Sequence, residues 1–576
     1  MRVPPLHLLH DSWIPIRRRS GARDLIRPAD VVAGFDDPVV DIDWPRADFR
    51  AAALEFLIGL LTTAAPPPSN AAWKAWWRVP PSPEELAARF APFAAAFVLD
   101  GDGPRFLQDG SDLGDEIVPI GGLLIEQPGA NTEKNNTDLF QKRGRVEVLA
   151  RSTAAIALYT LQTFAPSGGA GHRTGLRGGG PLTTLPLPPV DASDPVEPPL
   201  WHLLWLATQG ALPNAEREPP FAEAPERTFP WLAPLRISDK TGVATVAKDI
   251  HPAQCFWGQP RRIALVFEPN PDRIPCDLTG RIEDVIVRGY RTRPYGVNYG
   301  GIEHPLSPWY RLKAGAEWLP VHPQPGGLAW RFWPGFVLSR EGTGGRESRP
   351  ATCIGLARDR LHDLGVGRAR LRLLGYDMDN MKARAFVEAE RPLFVVGADD
   401  GDTVAKDFAD LVAILVASAV EVVSVLNGAI RLARGRDGGS GVDLVTETLW
   451  ATTEDAFWAM LDEGLPKIRT GEDLSALLRD RWLFAVLRPV ALATFDREVP
   501  AEAMITSARL AAKEERGRNG EIMAGELGRA IEARRKLTLA LAGHGAEGKR
   551  LFEGLGLAVP VAKTPKARKS LEKGAA

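Results

Sequence analysis

Between Thr163 and Thr184 the sequence reads TFAPSGGAGHRTGLRGGGPLTT, with seven glycines in twenty-two residues and Arg173 and Arg177 among them. Backbone this bare can cradle phosphate, so the spacing decides. A Walker loop needs lysine and a hydroxyl directly after its second glycine, whereas Gly171 is followed by His172 and Arg173. The dinucleotide fingerprint G-x-G-x-x-G fails where Thr174 takes the place of the third glycine. What remains is backbone that can take positive φ and let a partner approach closely, with two arginines beside it. A plain surface loop accounts for the same spacing.

Other residues offer hydrolytic or metal chemistry. His10-Asp11 and His362-Asp363 suggest a metal-dependent phosphohydrolase, but such a site also needs an upstream histidine and a later aspartate on helices around the metal, and His10-Asp11 lies too close to the start, in a β-like stretch. His362-Asp363 reads more simply as a solvated helix end before Gly365. The run YDMDN (376–380) spaces carboxylates as some cation sites do, yet Lys382 stands where an EF-hand needs glycine. No H-E-x-x-H or G-x-S-x-G occurs, and Cys255, Cys276 and Cys353 lie far apart with no C-x-x-C. We expect no catalytic constellation, no metal and no cofactor.

The elements that must position these residues follow from composition and periodicity. A chain of 576 residues needs more than one core. A formal net charge of −2 excludes a generally basic nucleic-acid binder, so any such contact must be local. Before about residue 400, Pro and Gly interrupt mixed patterns: helices at 48–65 and 152–165, and strand-like runs at 261–268 and 281–290. After it the spacing is helical, and predicts helices at roughly 402–433, 440–463, 471–494 and 500–542, with breaks at GRDGGSG, EGLPKIRTG and REVP. The fold class is α+β: a large mixed N-terminal domain with long loops (1–398), then an all-α four-helix bundle (399–560) and a basic tail (561–576). The apolar run 411–430 has Glu421 at its centre, which argues for a buried bundle helix over a membrane span. The start has no apolar run long enough for a signal peptide, and a cytoplasmic location is expected.

Four segments occur in the order found in one family: LLHDSWIPI at the start, the glycine stretch, ISDKTGVATVAKDIHPAQCFWGQPRRIAL (237–265) and LLGYDMDNMKAR (373–384). The chain resembles the large-subunit (CasA) family of the type I-E CRISPR surveillance complex, Cascade. The resemblance implies a non-catalytic subunit that reads the protospacer-adjacent motif of target DNA in the minor groove. That groove is about 6 Å wide and chemically degenerate, which suits backbone without side chains. Matching on LRGG places the reading loop at Ser167, Gly168, Gly169, Ala170 and Gly171; some relatives have glycine where this chain has Ser167 and Ala170, and Ser167 adds a hydroxyl. A groove-entering lysine maps to Lys313 in HPLSPWYRLKAG, with Arg311 as its rival. A strand-separating wedge maps to Asp379, Asn380 and Met381, with Asp379 read as the cap of a following helix.

The loop ANTEKNNTDLFQKRG (130–144) resembles the segment that docks on the 5′ handle of the guide RNA and the neighbouring backbone subunit, through Asn135, Asn136, Asp138 and Phe140. Many relatives carry cysteines just beyond it, where this chain has LARSTAA, so no metal is implied. The implied partners are the guide-RNA handle, duplex DNA bearing the motif, the backbone and small subunits, and a helicase–nuclease recruited after R-loop formation, with no membrane. Bundle cations such as Lys513, Arg516, Arg518, Arg534 and Arg535 are candidates for the displaced strand. The alternatives are a metal-dependent nuclease or phosphohydrolase built on His362-Asp363, and a subunit that binds only RNA.

Overall fold

The computed structural model describes residues 3–128, 134–136, 143–169, 171–190, 196–210, 212–238, 242–324, 327–340, 346–379, 382–396, 401–435, 442–500 and 526–560. Two compact units result: Met1–Leu328 with Gly335–Gly397, and Ala329–Pro334 with Ala398–Ala576.

The first unit is mixed. Strands β1 (Ile14–Arg18), β2 (Arg23–Ile26) and β3 (Val39–Ile42) form an antiparallel sheet in the order β2-β1-β3. Helix α1 (Ala47–Ala64) comes next and is buried along most of its length, because its sequence is apolar on every face. Its Phe56 is a hub, meeting Trp13, Tyr159 and Trp257 edge-on at 5.5–5.6 Å between ring centroids. Such geometry suits the quadrupoles of aromatic rings. Helix α2 (Asn70–Arg78) is capped by Ser69, whose hydroxyl accepts from the Ala72 amide. Helix α3 (Arg151–Phe164) is also buried and feeds the glycine stretch. That stretch returns into β4 (Thr183–Leu187).

Strands β5 (Arg262–Pro269) and β6 (Val285–Arg293) form the longest pairing of a four-stranded sheet. The second strand begins later than the sequence run, since Asn270 holds Glu283 and Asp284 through their carbonyls in the preceding turn. A small sheet joins β7 (Trp309–Arg311), β8 (Leu319–Pro320) and β9 (Glu347–Arg349) in the order β8-β7-β9. Helix α4 (Thr352–Asp363) then leads to a long antiparallel hairpin, β10 (Arg368–Asp379) and β11 (Lys382–Phe394), with β4 paired along the far edge of β10. The expected helix cap at Asp379 is overturned. Asp379 pairs with Lys382 in the hairpin, and the next element is a strand.

The second unit is helical: α5 (Gly401–Arg434), α6 (Val442–Thr470), a wide-turned π stretch Leu477–Leu487 running into α7 (Arg488–Glu498), α8 (Glu526–Ala540) and α9 (Gly545–Gly554). The break expected at EGLPKIRTG comes only at Gly471, and the helix runs through Pro466. Leu461, Leu465 and Ile468 continue the buried face across that proline, so packing outweighs the one lost amide. The last predicted helix, 500–542, lies largely outside the described residues, and α9 was not expected. Helix α5 is apolar and long enough to cross a membrane by composition, but Leu411, Leu415, Val422, Leu426 and Ile430 are core residues and Glu421 bonds Arg550 at 2.8 Å. Trp330, from the short segment 329–334, stacks on Phe457 at 4.3 Å and donates to the Trp450 carbonyl.

Candidate nucleic-acid interface

The glycine stretch has a tip and a return arm. At the tip, the Gly168 amide donates to the His172 carbonyl at 3.1 Å and the His172 amide to the Gly169 carbonyl at 2.9 Å, closing a tight loop. Gly168 and Gly169 are exposed, Ser167 and Gly171 half-buried, and Ala170 lies outside the described residues. Gly169 takes φ +73°, the left-handed region that glycine enters without penalty, and a Cβ there would touch nothing within 4 Å. The Ser167 hydroxyl is turned inward to the His172 carbonyl at 3.4 Å.

Arg261 supports the tip from beneath. Its guanidinium donates to the carbonyls of Pro166 and Arg173, and burial pushes its pKa down to about 10. Burial and the same arginine also lower the His172 pKa, which keeps that imidazole neutral near pH 7. The Tyr295 amide donates to the Gly171 carbonyl at 2.8 Å, and Arg173 reaches the Ser238 hydroxyl at 2.8 Å.

The return arm is built differently. Gly175 donates to the Ala165 carbonyl and Gly180 to that of Phe164, stapling the arm to the end of α3. A Cβ at Gly175 would lie 2.6 Å from the Thr163 carbonyl oxygen, so only glycine lets these backbones touch. Arg177, which the sequence set beside the loop, is only 2% exposed. Its guanidinium donates to Glu55 of α1 at 2.6 Å, Thr183 at 3.0 Å and Ser307 at 3.1 Å, while Thr183 also donates to Glu55. Sequence reasoning missed Glu55. The signal was a single acid inside the apolar run AAALEFLIGLL, which in a buried helix demands a cationic partner.

This arm joins the other two candidate elements at their bases. The Leu182 amide donates to the Val321 carbonyl, just beyond β8, and His322 lies against Gly178. Gly180 lies against Tyr376 and Met378 of β10, and the Tyr376 hydroxyl donates to Asp48 of α1 at 2.6 Å. Lys313 stands exposed in the turn between β7 and β8, where its carbonyl accepts from the Ala316 amide. Its rival Arg311 is committed: it donates to the buried Glu347 and lies 4.7 Å from the Trp318 ring centroid. Asp379 is exposed at the hairpin end, while Asn380 and Met381 lie outside the described residues.

The remaining candidates scatter. Asn135 and Asn136 are exposed, and Arg143 donates to Asn136 at 3.0 Å; Asp138 and Phe140 lie outside the described residues. Lys513, Arg516 and Arg518 do too, whereas Arg534 pairs with Asp496 at 2.7 Å and Arg535 with Glu532 at 3.9 Å. Asp363 ends α4 and binds Lys74 at 2.9 Å and Asn70 at 2.5 Å, so its carboxylate is already engaged. Among the described residues no three His, Cys, Asp or Glu side chains gather to hold a metal ion.

A family model for the CRISPR-associated protein Cse1 matches residues 7–488. The chain is similar to CasA of Thermus thermophilus at 19% identity, covering 93% of this chain and 98% of that one with a TM-score of 0.60. Cse1 of Thermobifida fusca matches at 18% identity, with coverage of 96% and 98% and a TM-score of 0.59. A chain of a CRISPR RNA-guided surveillance complex matches at 16% identity, with coverage of 94% and 100% and a TM-score of 0.61. At these identities the likeness shows a shared fold.

Proposed function

This chain belongs to the CRISPR-associated Cse1 family, and from that premise we propose that it is the non-catalytic DNA-recognition subunit of a type I-E Cascade. In this reading residues 1–398 read the motif and dock the guide handle, residues 399–560 form the bundle that meets the small subunits and displaced strand, and 561–576 are a basic tail. The tip from Ser167 to Gly171 enters the minor groove, where backbone carbonyls accept from the guanine amino group and amides donate to A N3 and T O2. Lys313 reaches the same groove, and Asp379, Asn380 and Met381 press into the adjoining base step. The loop at Asn135, Asn136, Asp138 and Phe140 docks on the guide-RNA handle, and a separate helicase–nuclease supplies cleavage. The protein works in the cytoplasm.

One observation carries this reading: an exposed glycine tip at Gly168 and Gly169 continues into a hydrogen-bonded arm that also meets the end of the Lys313 turn and the long hairpin. The test is Gly169→Phe in the assembled complex. Nothing packs on Gly169, so the added ring obstructs groove entry. Binding of motif-bearing duplex should fall at least tenfold, with little change on non-specific duplex. Equal loss on both would reduce the tip to a phosphate grip.

A further inference from the structure

The small sheet that carries the Lys313 turn has two faces with opposite charge balance. Trp309 pairs with Pro320 and Arg349, and Arg311 with Glu347, so these residues share one face. There every arginine is matched: Arg311 by Glu347, and Arg349 by Glu303 at 2.6 Å, with both guanidinium groups within 4.7 Å of the Trp318 ring centroid.

On the opposite face Tyr310 pairs with Leu319 and Ser348, and Ser348 exchanges backbone hydrogen bonds with Arg340 at 2.8 and 3.1 Å. Arg340, Ser348, Tyr310 and Leu319 therefore form one transverse row, and Arg346, two residues before Ser348, joins the same face. The Arg346 guanidinium lies 4.0 Å from the Tyr310 ring centroid. Leu312 and Leu319 are 67% and 39% exposed. Arg340 and Arg346 are exposed, and neither forms an ion pair among the described residues. One face of the sheet is thus neutralised and the other keeps two cations around an aromatic–guanidinium stack.

We propose that this second face binds an unpaired stretch of DNA, with a base stacked on the Tyr310–Arg346 pair and flanking phosphates on Arg340 and Arg346. Stacking platforms flanked by cations suit single strands, whose base faces are free. A duplex hides those faces and would leave the tyrosine and leucines unused. Two exposed arginines with no ion pair among the described residues favour a polyanion over an apolar protein surface. The choice of DNA over RNA rests on the function proposed above, because the turn of this same sheet presents Lys313 to target DNA.

The test uses the full chain with fluorescein-labelled dT15 at low salt, followed by anisotropy, and the assembled complex on motif-bearing duplex. Arg340→Ser with Arg346→Ser should weaken dT15 binding at least tenfold. It should also flatten the salt dependence by about 1.4, at roughly 0.7 per phosphate contact on a single strand. Tyr310→Leu should weaken it about fivefold and leave the salt slope unchanged. Arg340 and Arg346 are exposed and Tyr310 is half-buried, so melting temperature should hold for the arginine pair and is measured for Tyr310→Leu alongside binding. An equal loss on blunt duplex of the same length overturns the proposal in favour of a phosphate patch. So does a preference for rU15 over dT15, and so does unchanged dT15 binding combined with loss of a subunit on gel filtration. Gly169→Phe separates the two ideas: it should spare dT15 binding. If it spares motif discrimination too while the arginine pair still weakens dT15, the DNA site stands and the groove-reading function falls.

Discussion

Compared with the tip of the glycine stretch, where Gly168 and Gly169 face solvent, the return arm from Gly175 to Gly180 is buried or half-buried at every residue. Both regions are rich in glycine and each has an arginine in or beside it. In the return arm, missing side chains let backbones touch and Arg177 fills a buried charge site. At the tip, the missing side chain of Gly169 leaves room that no part of the described chain occupies, although a Cβ at Gly168 would meet Arg261 and His172, and one at Gly171 would meet Tyr295. Glycine density therefore marks where a Cβ is excluded, and only surroundings tell whether the chain itself or a partner excludes it.

The strongest way to break this contrast is to attack the buried pair. Arg177→Met leaves the Glu55 carboxylate, 0% exposed, without its cation. Removing one partner of a buried ion pair costs about 3–5 kcal/mol, and urea unfolding followed by tryptophan fluorescence should register it. Replacing both partners, as Glu55→Leu with Arg177→Met, should recover much of the loss. A single-variant loss below about 1 kcal/mol would show that the pair is not what fixes the arm.

Next come the glycines themselves. Gly175→Ala places a methyl group against the Thr163 carbonyl and should cost about 1–3 kcal/mol as overpacking. Gly169→Asn should cost well under about 1 kcal/mol, since asparagine tolerates the left-handed region and the site is open. Its effect should fall on binding of motif-bearing DNA. Equal destabilisation by the two variants would erase the distinction between tip and arm.

Much of the frame was legible in the sequence. The helix read at 48–65 spans Ala47–Ala64 and that at 152–165 spans Arg151–Phe164, because long apolar runs bounded by proline or glycine have few alternatives. The mixed region followed by helices was equally plain. What escaped were facts that depend on residues far apart in the chain. Arg177 looked like a loop cation because its partner lies 122 residues away. Asp379 looked like a cap because the strand after it, KARAFVEAE, shows no clean two-residue alternation: its face is only partly buried. The commitment of Arg311 to Glu347 depends on pairing between β7 and β9 that no local pattern announces.

The hairpin end supplies a third, smaller effect. Asn380→Ala with Met381→Ala should slow R-loop formation on intact duplex by roughly tenfold, equivalent to about 1.4 kcal/mol. Only the first base steps are opened without repayment by guide pairing. On a target pre-melted beside the motif the double variant should match the parent. An equal defect on both targets would move these residues from strand opening to folding or motif contact.

Acid should weaken the base of the arm through a buried histidine. Burial, and then Arg177, hold the His304 pKa well below its ordinary 6.5, so the fold favours the neutral ring. Below about pH 6.5 the unfolded chain takes up a proton that the folded chain refuses, and stability falls by at most about 1.4 kcal/mol per pH unit for this group. Above that pH its contribution is complete. His304→Asn keeps an acceptor for the Leu306 amide, now bonded to the imidazole at 3.2 Å, and should flatten the decline measured by urea unfolding between pH 6.5 and 5.5. An unchanged decline would assign it to other histidines whose pKa burial lowers, such as His322 against Gly178 or His172 at the tip.

The smallest stability effect belongs to the exposed turn lysine. Lys313 makes no ion pair among the described residues and stands in an open turn, so Lys313→Ala should leave stability within about 0.5 kcal/mol. If it contacts duplex DNA, the salt dependence of target binding should flatten by about 0.9, the share of one phosphate. Arg311→Ala should behave in the opposite way. It strands the buried Glu347 and unstacks Trp318, so it should lower the melting temperature without a matching change in salt slope. An arginine variant that flattens the slope while a lysine variant does not would exchange the roles of the two residues. The tip would then share its groove with a cation drawn out of a buried pair, and the contrast between a fixed base and an open edge would no longer hold for this sheet.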